Sequence, residues 1–517
     1  MIGQSRPNDD DPVDLDMVII GAGLSGIGAA CHMTMDRPER TYVILEARAD
    51  LGGTWDLFRY PGIRSDSDMF TFGYSFRPWA GHRTIADGSD ILDYLRDTAA
   101  EYGVAERIRY GHKVIGASWD SSTARWDVTA IRAADGAVVY FRCRWLSACA
   151  GYYDHDNGHR PSFEGENTFD GTMVTPQFWP TDLDWSGKKV VVIGSGATAI
   201  TLVPNLARDA EHVTMLQRTP TYIVSVPAVD PFSERITALL SPQLGRKILF
   251  WKYVVGNVVS YELSKKFPAI SRWLIRRDTV KRLGPDYPVD VDFAPPYDPW
   301  DQRVCVVPDG DLFDCIESGK ADIVTDSVGC FEATGVRTES GRLIEADIVV
   351  SATGLTMLPI GGIELTVDGE KVDLPDTVVF KGMMLSGVPN FNLVMGYTNN
   401  SWTLKADLVS ARIAAMLDHL SDRDVDYVVP IKPSVSIGSA FVDLKSGYVQ
   451  RAVEAFPRQG DRTPWRLHQN YLRDLKMFRS ELDEETELLF GKRITSISSP
   501  LASVPAPSTP RKGHSHA

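Results

Sequence analysis

The stretch that most constrains this chain is Met17 to Glu46, MVIIGAGLSGIGAACHMTMDRPERTYVILE. Its opening apolar run, Met17-Val18-Ile19-Ile20, is too short for a buried helix and has the length of a parallel strand. Gly21, Gly23 and Gly26 follow in the spacing G-x-G-x-x-G, then Gly28, Ala29 and Ala30, small residues that suit the packed side of a helix. A second apolar run, Thr41 to Leu45, ends in an acid, Glu46, about twenty residues beyond the last glycine. Each part has a physical task. Gly21 allows a tight turn, Gly23 lets a pyrophosphate approach bare backbone, and Gly26 lets helix and strand pack closely. The helix N-terminus holds phosphate charge and Glu46 accepts the ribose hydroxyls. Strand, turn, helix and acid all agree, so an adenine dinucleotide is expected here.

A second unit of the same kind begins at Lys188. An apolar strand to Ile193 leads into Gly194-Ser-Gly196-Ala197-Thr198-Ala199 and a helix through Leu206; Ala199 stands for the third glycine, which the fingerprint tolerates. The next strand, from His212, ends in Gln217-Arg218-Thr219 rather than an acid. A carboxylate there would repel a 2′-phosphate, whereas a guanidinium grips it, so NADPH is expected over NADH with Arg218 and Thr219 as its readers. With 517 residues the chain is too long for one core. Its formal charge of -14 excludes a nucleic-acid binder. None of the six cysteines forms a CxxC, which removes a disulfide-reductase pair and a cysteine metal site, and no metal is expected. The acidic N-terminal segment lacks a signal peptide's apolar core and no apolar run reaches membrane-spanning length, so a cytoplasmic protein is expected.

Between the two units lies Leu51-Gly52-Gly53-Thr54-Trp55, followed by Tyr60-Pro61-Gly62-Ile63-Arg64-Ser65-Asp66. Paired glycines after a first nucleotide unit let the chain pass close to a flavin ring, and Arg64 with Asp66 is unusual for a plain surface loop. The segment has the pattern GGxWxxxxYPGxxxD. In it the chain resembles the type I Baeyer–Villiger monooxygenases, class B flavoprotein monooxygenases, and later segments look most like their ethionamide-activating branch. The resemblance runs from about residue 14 to about residue 490. It implies an α/β fold of two Rossmann-like domains, for FAD and NADPH, the NADPH domain inserted in the FAD domain and carrying a helical insertion. The boundaries it implies are 12–155 and 376–496 for FAD, 156–225 and 296–375 for NADPH, and 226–295 for the insertion.

Site residues follow from the same resemblance. Gly53, Thr54, Trp55 and Asp66 join Gly21, Gly23, Gly26 and Glu46 around FAD, with Gly396 and Tyr397 near its flavin end and Trp402 in a mobile loop on the substrate side. Gly194, Gly196, Ala197 and Thr198 hold NADPH with Arg218 and Thr219. Arg303 matches the arginine that faces the flavin; with Asp66 as partner it is the expected catalytic residue. Gln302 stands where many members carry a lysine. The linker fingerprint FxGxxxHxxxWP is met by Phe169, Gly171, Trp179 and Pro180, but Thr175 occupies the histidine position. The implied reaction uses O2 and a flavin C4a-peroxide to convert a small hydrophobic ketone into an ester or lactone, with sulfides and thioamides as second substrates. An N- or S-oxygenating flavin monooxygenase without that activity is the alternative, and a non-catalytic nucleotide sensor a more distant one.

Periodicity predicts a helix over Ile91 to Tyr102, a meander of strands between Ile108 and Leu146, strands at 321–324 and 344–350, and a helix from Leu404 to Leu420. Between residues 230 and 282, Leu239, Leu244, Trp251 and Val258 recur at helical spacing beside Arg246, Lys247 and Lys252. Packing of this basic amphipathic stretch on its own domain is expected, with weak membrane-surface contact as the other reading. A disordered tail is expected over 497–517, His514 and His516 belonging to it. Oligomeric state and the identity of the ketone stay open.

Overall fold

The computed structural model describes residues 13–433, 437–442 and 444–493; the expected tail with His514 and His516 lies outside them. The first unit forms as its spacing requires: β1 (Val13–Ile20), α1 (Leu24–Asp36) and β2 (Tyr42–Leu45), with the strands parallel and Met17 opposite Tyr42. Gly26 is what lets α1 sit down on β1, because a Cβ there would lie 1.9 Å from the Gly21 carbonyl oxygen. Two short helices, α2 (Thr54–Leu57) and α3 (Met69–Phe72), carry the glycine–tryptophan loop. The next helix, α4 (Gly88–Glu101), buries Ile91, Leu95 and Ala99 but starts a turn earlier than predicted. Its first turn is Gly88-Ser89-Asp90, suited to a helix N-terminus by its acid yet invisible to apolar periodicity.

After β3 (Ile108–Arg109) the predicted meander appears as β4 (His112–Asp120), β5 (Arg125–Arg132) and β6 (Val138–Ala148), successive strands antiparallel. The long β6 then runs parallel beside β1. Alternate residues of β1 serve two cores. Met17 and Ile19 face α1 and α4, while Val18 and Ile20 face Trp119 and Trp126 of the meander.

The second sheet uses β7 (Thr172–Val174), β8 (Lys189–Ile193), β9 (His212–Gln217), β12 (Ala321–Thr325) and β13 (Ile348–Ser351) in the order β12-β9-β8-β13-β7, all parallel. Helix α5 (Ala197–Leu206) follows β8. Between β9 and β12 come β10 (Ile223–Val226), the helices α6 (Pro231–Leu239), α7 (Pro242–Lys266), α8 (Pro268–Leu283) and α9 (Val289–Asp292), then β11 (Cys305–Pro308), parallel to β10, and α10 (Asp311–Glu317). The single run predicted at 344–350 is two strands in two sheets: Leu343–Glu345 closes a small antiparallel sheet, and β13 enters the large one. The break falls at Asp347, whose carboxylate and N–H both bond the Lys189 backbone and turn the chain inward.

The chain then returns to the first sheet. β14 (Glu364–Val367) pairs with β4 and β15 (Phe391–Leu393) with β6, before α11 (Trp402–Asp422) packs on α1 and α12 (Tyr471–Phe478) closes over it. The second sheet, from residues 172–351, is thus inserted between strands that build the first. Part of the expected linker, Thr172–Val174, is an edge strand rather than loose chain. Gly171 permits it, since a Cβ there would meet the Asp347 carbonyl oxygen at 2.4 Å.

Candidate active site

A cavity of about 450 Å³ opens where the two nucleotide units face each other. It is lined from the first unit by Gly21, Gly23 and Glu46, from the loop after it by Gly53, Thr54, Trp55 and Asp66, and from the second unit by Ala197 and Thr198. Arg303, and Tyr397 with Trp402, complete it from two distant parts of the chain. This is where ligands sit in open α/β folds, outside the carboxyl ends of parallel strands.

Two helix N-termini feed the site, and both are prepared for phosphate. α1 starts at Gly23 and α5 at Gly196; neither has a side-chain cap or an acid in its first turn, so their leading N–H groups are free to take an anion. The glycine turns abut: a Cβ on Gly53 would stand 3.2 Å from the Gly23 Cα, so the cradle is bare backbone on both sides. Glu46, 5% exposed, accepts the Ala22 N–H at 2.7 Å and the Arg48 N–H at 2.8 Å. It thereby ties the turn to the strand end, and each carboxylate oxygen keeps acceptor capacity for a ribose hydroxyl. Burial pushes its pKa up, against those two N–H bonds. Arg218 is exposed and forms no ion pair among the described residues, while the Thr219 carbonyl accepts the Ser195 hydroxyl at 2.7 Å and closes the two loops on each other. The donor set fits a dinucleotide at each helix.

The chemistry-bearing cluster lies between them. Arg303 Nε is 3.2 Å from Asp66 Oδ2. A third of the Arg303 side chain is accessible, and Arg303 lines the cavity. Asp66 holds the guanidinium firmly charged, outweighing the burial that opposes it. Two phenols stand beside it. The Tyr153 hydroxyl donates to Tyr152 at 3.2 Å, and burial raises the Tyr152 pKa to about 12, so both remain protonated donors at neutral pH. Tyr152 stacks on Trp402, ring centroids 5.3 Å apart, and the Trp402 indole N–H donates to Ser25 Oγ at 2.7 Å.

Comparison with known proteins decides what such a site belongs to. The flavin-binding monooxygenase-like family profile matches residues 15–360. The chain belongs to this family. It is 47% identical over 485 residues to the FAD-containing monooxygenase EthA of Mycolicibacterium smegmatis, covering 93% of this chain and 98% of that one. Among solved structures, oxidized steroid monooxygenase bound to NADP superposes with a TM-score of 0.72 at 20% identity, covering 93% of this chain and 100% of that one. The NADP+-bound cyclohexanone monooxygenase of Rhodococcus sp. Phi1 gives 0.71 at 19%, with the same coverage. Those two likenesses are of fold.

In this flavin-binding monooxygenase the expected site residues take different places. Those named above as lining the cavity come together; Gly26, Gly194 and Gly196 support it as backbone, Gly194 because a Cβ would lie 2.4 Å from the Ala352 carbonyl oxygen. Gly396 lies against Trp402: a Cβ there would come within 2.5 Å of the Trp402 ring. Trp402 itself is not in a loop but is the first residue of α11, pinned by its indole hydrogen bond and its stack on Tyr152. The linker residues Phe169, Thr175, Trp179 and Pro180 do not line the cavity; the Thr175 carbonyl accepts the Phe178 N–H at 3.0 Å in the turn after β7.

Sequence reasoning missed several residues of this flavin-binding monooxygenase. Tyr152, Tyr153 and His155 line the cavity directly after the small-residue turn at 148–151, a position at the carboxyl end of β6 that was itself a signal. Burial, then Arg48, keep His155 below its ordinary pKa and so neutral. The Tyr397 hydroxyl turns away from the cavity to Asp474 Oδ2 at 2.7 Å, and Lys405 Nζ meets the same oxygen at 2.8 Å. Nothing in the sequence marked that buried pair. Arg64 bonds Asp311 on α10 at 2.5 Å, clamping the loop of the first unit to the second.

Proposed function

We propose that this flavin monooxygenase uses FAD and NADPH to insert one atom of O2 beside a ketone carbonyl, giving an ester or lactone, with sulfides and thioamides as second substrates. The overall change is ketone, O2, NADPH and a proton to ester, NADP+ and water. The observation that carries the reading is the Arg303–Asp66 pair facing a cavity that spans both nucleotide units. FAD held there would supply a hydride acceptor for NADPH and the means of activating O2.

The chain's own groups do the rest. Glu46 and the α1 N-terminus hold the adenine half of FAD, and the α5 N-terminus with Arg218 and Thr219 holds NADPH through its pyrophosphate and 2′-phosphate. Arg303 stabilises negative charge as it develops on the reacting oxygen and on the substrate carbonyl oxygen, in a cleft where it is two-thirds buried. Asp66 aims the guanidinium and balances its charge when no substrate is present. Tyr152 and Tyr153 keep their protons and serve as neutral donors at the same wall. The stacked Trp402 and Tyr152 rings exclude water from that side.

The reading assigns residues 12–155 and 376–496 to the FAD domain, 156–225 and 296–375 to the NADPH domain, and 226–295 to the helical insertion; the nesting of the two sheets supports that order, but β14 (Glu364–Val367) already pairs with β4, so the return to the first domain comes before residue 364 rather than at 376. A cytoplasmic location is in keeping with six unpaired cysteines. The test is NADPH oxidation under air with a panel of ketones and sulfides, products identified by mass spectrometry. Esters from ketones support the proposal. Sulfoxides alone would favour an S-oxygenating enzyme, and NADPH consumption with no product from either panel would overturn both.

A further inference from the structure

The hairpin of α7 and α8 has two apolar faces, and only one has a partner. The inner face of α7 buries Leu249, Val254 and Val258, stacks Tyr253 on Phe70 at 4.9 Å, and donates from Asn257 to Asp68 at 3.0 Å, sealing the loop that carries Asp66. On the outer face Trp251, Val255, Val259 and Leu263 recur every fourth residue and stand exposed. The stripe continues on α8 through Ile270, Trp273 and Leu274, each more than half exposed. Half of all exposed large apolar side chains among the described residues fall within 232–274, so this is a patch and not scatter.

Its charge says what it fits. Helices α7 and α8 carry ten Lys and Arg against two acids, in a chain whose formal charge is -14. Arg246, Lys247, Lys266, Arg277 and Lys281 have no carboxylate partner among the described residues. Two of them lie on exposed rings of the patch itself: Arg277 over Trp273 at 5.4 Å and Lys266 over Phe267 at 5.5 Å. Tryptophan with flanking cations on an apolar helical face is the composition that lies in the headgroup layer of a bilayer. A two-fold contact between copies would instead set this basic face against itself. Among the described residues no helix is long and apolar enough to cross a membrane, so contact is with the surface.

We propose that the outer face of the α7–α8 hairpin docks on an anionic lipid bilayer, with the opposite face of the same helix forming part of the wall around the active-site loop. The experiment is sedimentation of the full-length holoenzyme with phosphatidylglycerol–phosphatidylcholine vesicles and with pure phosphatidylcholine vesicles. Binding should be strong on the former, weak on the latter and weakened by salt. The double variants Trp251→Ser/Trp273→Ser and Arg277→Glu/Lys281→Glu should each lower it by about tenfold or more, with bound flavin and NADPH oxidation unchanged. Equal binding to both vesicles, or none to either, overturns the proposal. So does reversible self-association in the ultracentrifuge that the tryptophan variant abolishes while vesicle binding is absent, since the patch then joins copies of the chain.

Discussion

Arg303→Ala is the substitution on which the mechanism stands. A unit positive charge about 4 Å from a developing negative charge is worth about 4 kcal/mol at an effective dielectric near 20. Two features of the site reduce that. Asp66, 3.2 Å from Arg303 Nε, offsets part of the field, and a third of the guanidinium side chain is open to the cavity. About 2–3 kcal/mol of barrier is left, a loss of about a hundredfold in oxygen transfer. Flavin binding rests on Gly21, Gly23, Gly26 and Glu46, so the variant should purify yellow. Anaerobic stopped-flow with NADPH reads flavin reduction, and product analysis under air with a ketone reads oxygen insertion. The reasoning requires the second rate to fall much further than the first, and Asp66→Ala to fall less than Arg303→Ala. A flavin-loaded Arg303→Ala enzyme that makes ester at close to the original rate would show that Arg303 only anchors the segment leading into β11.

Further expectations follow from other parts of the molecule. Arg218→Ala should raise the KM for NADPH by about one to two powers of ten and leave that for NADH unchanged, as a lost charge-assisted phosphate contact does; equal KM values for the two cofactors in the unmodified enzyme would refute it. Thr175→His should lower the hydrogen peroxide released per NADPH consumed, and unchanged coupling would show that this linker position does not govern it. Lys405→Met leaves the buried Asp474 carboxylate with only the Tyr397 hydroxyl and should cost about 3–5 kcal/mol in urea unfolding; a loss within the ordinary range of surface substitutions would mean the pair is not load-carrying in the fold. At His32, burial opposes the charge but Asp407 and Asp36 outweigh it and raise the pKa above its ordinary 6.5. Its stabilisation is therefore full below that value and lost as pH rises through the folded-state pKa, so the gap in Tm between the unmodified enzyme and His32→Gln should close with rising pH.

What the sequence alone determined were features set by neighbours along the chain. G-x-G-x-x-G between a strand and a helix makes a phosphate cradle wherever it is placed, because the turn, the helix N-terminus and the missing Cβ atoms are all local. Both nucleotide units were legible for that reason, as was the absence of an acid after β9. Only the tertiary structure decided the rest. Arg303 and Asp66 meet across a large sequence gap because β10 and β11 pair and bring the segment before β11 back over the first unit. Trp402 reads as loop until the Tyr152 ring and Ser25 hydroxyl fix it at the start of α11, and the room it occupies is what Gly396 provides. The Lys405–Asp474 pair joins two helices whose sequences do not mention each other. The two faces of α7 are both apolar, so periodicity could not tell which one the protein would cover. Packing chose, because the inner face meets the active-site loop while the side chains of the outer face stand exposed.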